Sequence, residues 1–223
     1  GYDGYLQIEA KIRAQLFTGR GDVDQELRGY TSHAHYFQVG IRLYNARRYN
    51  QAFALLRRAF EHRTLFDLKS QLEIARFYGL AAIRLKNRPD AVHSVLAFLR
   101  SRHQGQSMAD FLEAERFRFD YEYDNALPLY AKAQAKAKAD GDRYREERII
   151  RPYLESLLRT RRPDLRKAKE LADRAVRLSR TFFSLSMRTR VYLHCWTKGG
   201  VKDAEDLKAQ YFEVLDELKR QPG

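Results

Sequence analysis

The stretch spanning residues 35–60 most constrains the fold of this 223-residue chain. Its large apolar residues recur every three or four positions on both sides of a polar turn at residues 47–48. That spacing is typical of two consecutive amphipathic helices. Three small residues, Gly40, Ala52 and Ala59, stand where the two helices have to approach closely. The stretch therefore predicts a helical hairpin.

The same spacing of small residues recurs along the chain. An alanine stands near the start of each predicted second helix, at gaps of 39, 35, 42 and 36 residues: Ala52, Ala91, Ala126, Ala168 and Ala204. Twelve residues before them stand Gly40, Gly79, Ala114, Ser156 and Tyr192, and seven residues after them stand Ala59, Phe98, Ala133, Ala175 and Tyr211. Small residues dominate both positions in the first, third and fourth copies. The recurrence predicts an array of helical repeats.

The first copy resembles the tetratricopeptide repeat, a helical hairpin with a period of about 34 residues. The residues that match the family pattern are Tyr36, Val39, Gly40, Leu43, Tyr49, Ala52, Leu56 and Ala59. The copy around Ala126 is the next best, and the second, fourth and fifth copies are degenerate. The resemblance covers about residues 33–218. It implies an all-α fold, namely an α-solenoid of about five antiparallel helix pairs with an extra N-terminal helix. The alternatives are another kind of α-solenoid and an irregular helical bundle.

Two parts of the chain follow from this pattern. Residues 1–31 form a predicted helix and a glycine-containing loop, either a cap on the array or the tail of an upstream domain. Residues 32–219 form the repeat domain, with copies at about 33–66, 67–105, 107–140, 142–180 and 181–219. We expect the chain to be a regulatory, sensor or scaffold part of a larger protein, and bacterial signalling or defence is one candidate setting.

The resemblance implies a concave groove, built mainly from the first helix of each pair, that binds a peptide or helix of a partner protein. By register with the small residues, the candidate groove residues are Phe37, Ile41, Tyr44, Asn45, Arg76, Arg84, Phe111, Arg118 and Arg161. This mixture of aromatic residues and arginines suits a segment with acidic and apolar side chains. Alternatively, part of the set is core between neighbouring repeats.

Nucleic-acid binding is the second functional hypothesis. The chain has 42 basic and 29 acidic residues, a formal net charge of +13, which permits acidic partners. The basic residues that would contact phosphates are Arg159, Arg161, Arg162, Arg166 and Lys167. Aromatic residues are sparse around these five, which weakens a stacking surface for single strands. Upstream, Arg143, Arg145, Arg148 and Arg151 do not form one clean helical stripe. The alternative is that these arginines form solvated helix faces.

No catalytic constellation is evident, so we expect neither an enzyme, nor a cofactor, nor a metal. Cys195, the single cysteine, predicts a reducing compartment, the cytoplasm, and its apolar helix predicts a small buried side chain. No run of residues is long and apolar enough for a membrane span. An acidic patch is interpreted as a solvated helix face, with a cation site and pairing with the arginines of the repeats as the alternatives: Glu113, Glu115, Asp120, Glu122 and Asp124.

Overall fold

The computed structural model describes residues 33–198 and 204–220. The helix and loop predicted at residues 1–31 lie outside the described residues. In the described ranges the chain is helical and contains no strand. The prediction of an all-α fold is therefore confirmed.

Ten α-helices and two short 3₁₀ turns make up the described ranges. The helices are α1 His33–Asn45, α2 Tyr49–Glu61, α3 Leu68–Leu85, α4 Pro89–Arg100, α5 Gln106–Phe119, α6 Tyr123–Ala139, α7 Arg143–Leu157, α8 Leu165–Leu178, α9 Phe182–Lys198 and α10 Ala204–Lys219. The 3₁₀ turns are Arg63–Leu65 and His103–Gly105.

The chain divides into two compact units, Gly1–Leu99 and Arg100–Gly223. In the first unit, α1 packs against α2, α2 packs against α3, and α1 also touches α3. In the second unit, each helix from α5 to α10 packs against the next, and α5 also touches α7. The second helix of a pair therefore packs against the first helix of the following pair within each unit.

Small residues lie at the tightest of these approaches. Gly40 of α1 is buried, and a β-carbon added there would lie 2.7 Å from Cγ of Leu56 on α2. The predicted close approach of α1 and α2 is confirmed at this point. Among the recurring alanines, Ala52, Ala126 and Ala168 are fully buried. Ala91 is only half-buried, in keeping with the degenerate second copy.

One kind of turn ends α1, α5 and α6. The second residue beyond each helix adopts a left-handed conformation: Arg47 at φ 62°, Tyr121 at φ 63° and Gly141 at φ 68°. Its N–H donates to the carbonyl three residues earlier, and the next N–H donates to the carbonyl five residues earlier. This is the Schellman arrangement, which satisfies carbonyls at a helix end. After Gly141, the Asp142 side chain caps α7 by accepting from the N–H of Arg145 at 2.9 Å.

Gly40→Ala should lower the free energy of unfolding by about 1–2 kcal/mol, because its β-carbon displaces a packed Leu56 side chain. This value is the net loss. It already includes the gain of about 1 kcal/mol from the higher helix propensity of alanine relative to glycine. Urea unfolding followed by circular dichroism measures the change.

The matched experiment repeats the substitution in a Leu56→Ala background. There the obstructing atoms are gone, so Gly40→Ala should stabilise the protein by up to about 1 kcal/mol. Equal effects of Gly40→Ala in both backgrounds would contradict the close approach of α1 and α2.

Candidate functional site

Five side chains from α1, α2 and α3 form an aromatic and arginine cluster, which we call the α1–α3 cluster: Tyr44, Tyr49, Arg76, Phe77 and Arg84. The centroid of the Tyr44 ring lies 5.4 Å from that of Tyr49 and 5.8 Å from that of Phe77. The guanidinium carbon of Arg84 lies 5.3 Å from the Tyr49 ring centroid, and that of Arg76 lies 4.1 Å from the Phe77 ring centroid. These distances allow cation–π attraction. Three predicted groove residues, Tyr44, Arg76 and Arg84, thus meet around two aromatic rings.

The members of this cluster differ in their access to solvent. Arg84 is exposed and Tyr44 is half-buried, and the neighbouring predicted groove residue Asn45 is exposed. Arg76 is only 6% exposed, and its Nη2 donates to Glu73 at 2.6 Å. Arg76 therefore packs against the Phe77 ring inside the protein, whereas the guanidinium of Arg84 is accessible to a ligand.

The remaining predicted groove residues lie at separate places in their units. Phe37 and Ile41 are half-buried on α1. Phe111 is buried between α5 and α6, with its ring 6.2 Å from that of Tyr130. Arg118 is partly exposed near the end of α5, and Arg161 is exposed in the turn after α7.

The interpretation of the acidic patch as a solvated face is wrong for Glu115. Its residue surface is 4% exposed, and its carboxylate accepts hydrogen bonds from the Tyr130 hydroxyl and the Arg118 guanidinium. Burial raises the pKa of Tyr130, and the negative charge of Glu115 raises it further. Burial opposes the charge on Arg118, but the hydrogen bonds to Glu115 and the negative charges nearby together outweigh burial and raise the Arg118 pKa. The carboxylate can be buried because both partners satisfy it.

A second buried carboxylate joins α6, α7 and α8. Glu146 is 1% exposed, and it accepts from Arg174 Nη2 at 2.7 Å and from Gln134 Nε2 at 2.8 Å. Burial opposes its ionisation, but these hydrogen bonds and the positive charges nearby together outweigh burial and hold the Glu146 pKa below its ordinary value. The negative charge at this junction is therefore built into the packing of three helices.

A third network joins α8 to α9 around Asp173. The Tyr192 hydroxyl donates to Asp173 Oδ1 at 2.6 Å, and the same oxygen lies 2.9 Å from Arg188 Nε. Lys169 Nζ lies 3.3 Å from the other carboxylate oxygen. Burial and the hydrogen bond to Asp173 raise the pKa of Tyr192. The carboxylate thus holds two neighbouring helices in one register.

The predicted phosphate-contacting residues differ in exposure and in their partners. Arg159, Arg161, Arg162 and Arg166 are exposed, whereas Lys167 is half-buried, with Nζ 3.0 Å from the Glu170 carboxylate. Arg159 Nη1 donates to the hydroxyl of Tyr123 at 3.0 Å, and its guanidinium carbon lies 5.9 Å from that ring centroid. The hydrogen bond to Tyr123 raises the pKa of Arg159.

The sequence patterns did not predict Tyr49 or Tyr123 as site residues. Tyr49 and Tyr123 each open the second helix of a pair, and each lies beside an arginine near the C-terminal end of the next first helix, Arg84 or Arg159. The tyrosine that follows the turn of the hairpin in the repeat pattern could have indicated these positions. It is also a packing residue, so the spacing alone does not distinguish the two roles.

Cys195 is buried, as its apolar helix predicts, and its thiol lies 3.7 Å from the carbonyl oxygen of Leu165. Among the residues that the structure describes, no group of three or more His, Cys, Asp or Glu side chains could hold a metal ion. Within the same ranges, no helix combines the length and the apolar character that crossing a membrane requires.

Comparisons with known proteins add no family assignment. No protein-family model matches the chain, and a search of curated proteins finds no match either. The chemistry of the clustered side chains is therefore what bears on function.

Glu146→Gln should lower the free energy of unfolding by about 1–3 kcal/mol at neutral pH, because it removes a charge-assisted hydrogen bond at a buried site. The folded-state pKa of Glu146 is lowered. Its stabilising contribution is thus fully present above the ordinary carboxyl pKa of about 4.3 and disappears as the pH falls through the folded-state pKa. Urea unfolding from neutral to acidic pH measures the difference, which should narrow in acid.

The neighbouring Glu147→Gln is the control. Glu147 is half-buried and follows Glu146 directly in the chain. Its substitution should change the free energy of unfolding by less than about 0.5 kcal/mol at any pH. If the two substitutions cost the same, the Arg174–Glu146 pair does not stabilise the fold.

Proposed function

We propose that this chain is a non-enzymatic interaction module of tetratricopeptide-like architecture, a solenoid of helix pairs that binds a segment of a partner protein. Three observations support the architecture. Second helices pack against the next first helix, first helices touch each other at α1–α3 and α5–α7, and the first and third pairs share one turn geometry. The buried free thiol of Cys195 supports a reducing compartment such as the cytoplasm.

The α1–α3 cluster is the proposed binding site, and the placement of Arg84 beside Tyr49 carries the proposal. An exposed guanidinium can hold a carboxylate through two parallel hydrogen bonds. The half-buried rings of Tyr44 and Tyr49 provide apolar contact area next to it. The exposed amide of Asn45 can pair with a peptide backbone. The ligand that fits is a peptide or helix with an acidic side chain next to an apolar one.

Selection from a displayed library of random peptides tests this function. Peptides that combine Asp or Glu with an aromatic or aliphatic residue should be enriched, and isolated peptides should bind in the micromolar range typical of small interfaces, measured by fluorescence anisotropy. Arg84→Glu should weaken their binding by at least about tenfold, because it replaces an attraction by a like-charge repulsion.

Lys69→Glu is the matched control, since Lys69 is exposed at the opposite end of α3 and the charge change is the same. It should leave peptide binding unchanged. Substitution of Arg76 is not a clean test, because Arg76 is buried and paired with Glu73. Absence of any enriched peptide, or equal binding by the Arg84→Glu protein, would rule out the proposed site.

A further inference from the structure

The second unit exposes an aromatic and basic stripe along α7. Tyr144, Arg148, Arg151 and Glu155 follow each other at i, i+4, i+7 and i+11, so they share one face of the helix. Tyr144 is 56% exposed, and the guanidinium carbon of Arg148 lies 4.6 Å from its ring centroid. Arg148 and Arg151 are exposed as well. Arg145, on another face, is turned towards Asp142 and the carbonyl of Gln104.

The stripe continues beyond the end of α7 onto the preceding hairpin. Glu155 lies 3.2 Å from Arg151 Nε and 3.8 Å from Arg118 Nη1, which links α7 to the end of α5. Past the helix, Arg159 donates to Tyr123, and the Tyr123 ring lies 6.4 Å from the Tyr121 ring at an interplanar angle of 82°. The aromatic residues that are sparse around Arg159 in the sequence are thus supplied from 36 residues away.

Tyr121 is the outermost of these rings, with 72% of its surface exposed. Its φ of 63° is the left-handed conformation that glycine adopts most easily and that Gly141 occupies in the next turn. The turn therefore does not require an aromatic side chain. A large ring held outward on a strained backbone is available for contact with a ligand.

We infer that this surface binds a single strand of nucleic acid. We call it the α7 face, and its members are Tyr121, Tyr123, Tyr144, Arg148, Arg151 and Arg159. Bases stack on the exposed rings of Tyr144 and Tyr121 at its two ends, and the arginines between them hold the phosphates. The 15 residues of α7 span about 22 Å, the length of a few nucleotides.

Charge and ring access favour a single strand over the other acidic ligands. Residues 159–167 contain five basic side chains and one acidic one, and Arg161 and Arg162 extend the positive charge beside Arg159. A duplex hides the base faces that exposed tyrosines would stack on, and an acidic peptide has no such faces. Asp120 and Glu122 flank Tyr121, so the phosphates belong on the Arg159 side of that ring. The α7 face belongs to the second unit, and the α1–α3 cluster belongs to the first.

Fluorescence anisotropy of the intact chain tests the inference. The probes are labelled mixed-sequence single strands of RNA and of DNA, about 12 nucleotides long, the corresponding duplex, and a glutamate-rich peptide of similar length. A single strand should bind at about 50 mM salt and weaken steeply towards about 200 mM. The duplex and the peptide should bind at least about tenfold more weakly.

Two kinds of variant separate stacking from charge. Tyr144→Leu and Tyr121→Gly should each weaken single-strand binding by about tenfold, because each removes one stacking ring. Glycine suits the left-handed backbone at residue 121, so the turn is kept, and thermal unfolding should show no loss of stability. Arg148→Gln combined with Arg151→Gln should reduce the slope of log affinity against log salt by about 1.4, as expected for two phosphate contacts.

Arg57→Gln combined with Lys69→Gln is the matched control, since both residues are exposed in the first unit and the charge change is equal. It should leave binding and its salt slope unchanged. The inference is overturned if no single strand binds at low salt, if the duplex binds as tightly, or if the control weakens binding as much. It is also overturned if the glutamate-rich peptide binds as tightly with the same variant dependence, which would make the α7 face an acidic-peptide site.

Discussion

The close contact of two helices at small residues is the constraint on which the rest of the structure depends. Where Gly40 meets Leu56, a single added carbon has no room. This contact lets α1 and α2 lie together and leaves the far side of α2 to pack against α3. The same logic, with alanine in place of glycine, operates at the fully buried Ala114 and Ala133 in the second unit. The helix faces that these contacts do not cover form the surface of each unit.

Carboxylates at helix junctions give the second unit its register. Glu115 connects α5 to α6, Glu146 connects α6, α7 and α8, and Asp173 connects α8 to α9. Each is held by an arginine and by at least one neutral donor, so that burial does not leave a charge uncompensated. Two of these acidic side chains, Glu115 and Glu146, are buried and so do not reduce the positive charge of the surface. The exposed arginines of α7 and of the turn after it therefore give the surface around them a positive charge.

One contact occurs in both units: a tyrosine that opens a second helix lies beside an arginine at or just beyond the C-terminal end of the next first helix. In the first unit it places Arg84 by Tyr49, next to aromatic rings, where we propose that an acidic peptide binds. In the second unit it places Arg159 by Tyr123, beside an exposed ring and further arginines, where we propose that phosphates bind. The two tyrosine–arginine contacts are thus surrounded by side chains of different chemistry.

The sequence by itself determined the helical class and the hairpin at residues 35–60, and Gly141 and Asp142 carry local signals that end α6 and begin α7. These depend on spacing, on backbone conformation and on capping, all of which are local. Only the tertiary structure decided that Glu115 is buried, that Arg76 is enclosed while Arg84 is exposed, and that Arg159 meets Tyr123. Periodicity shows which residues share a face of one helix. It does not show which other helix covers that face, because that depends on contacts between residues far apart in the chain.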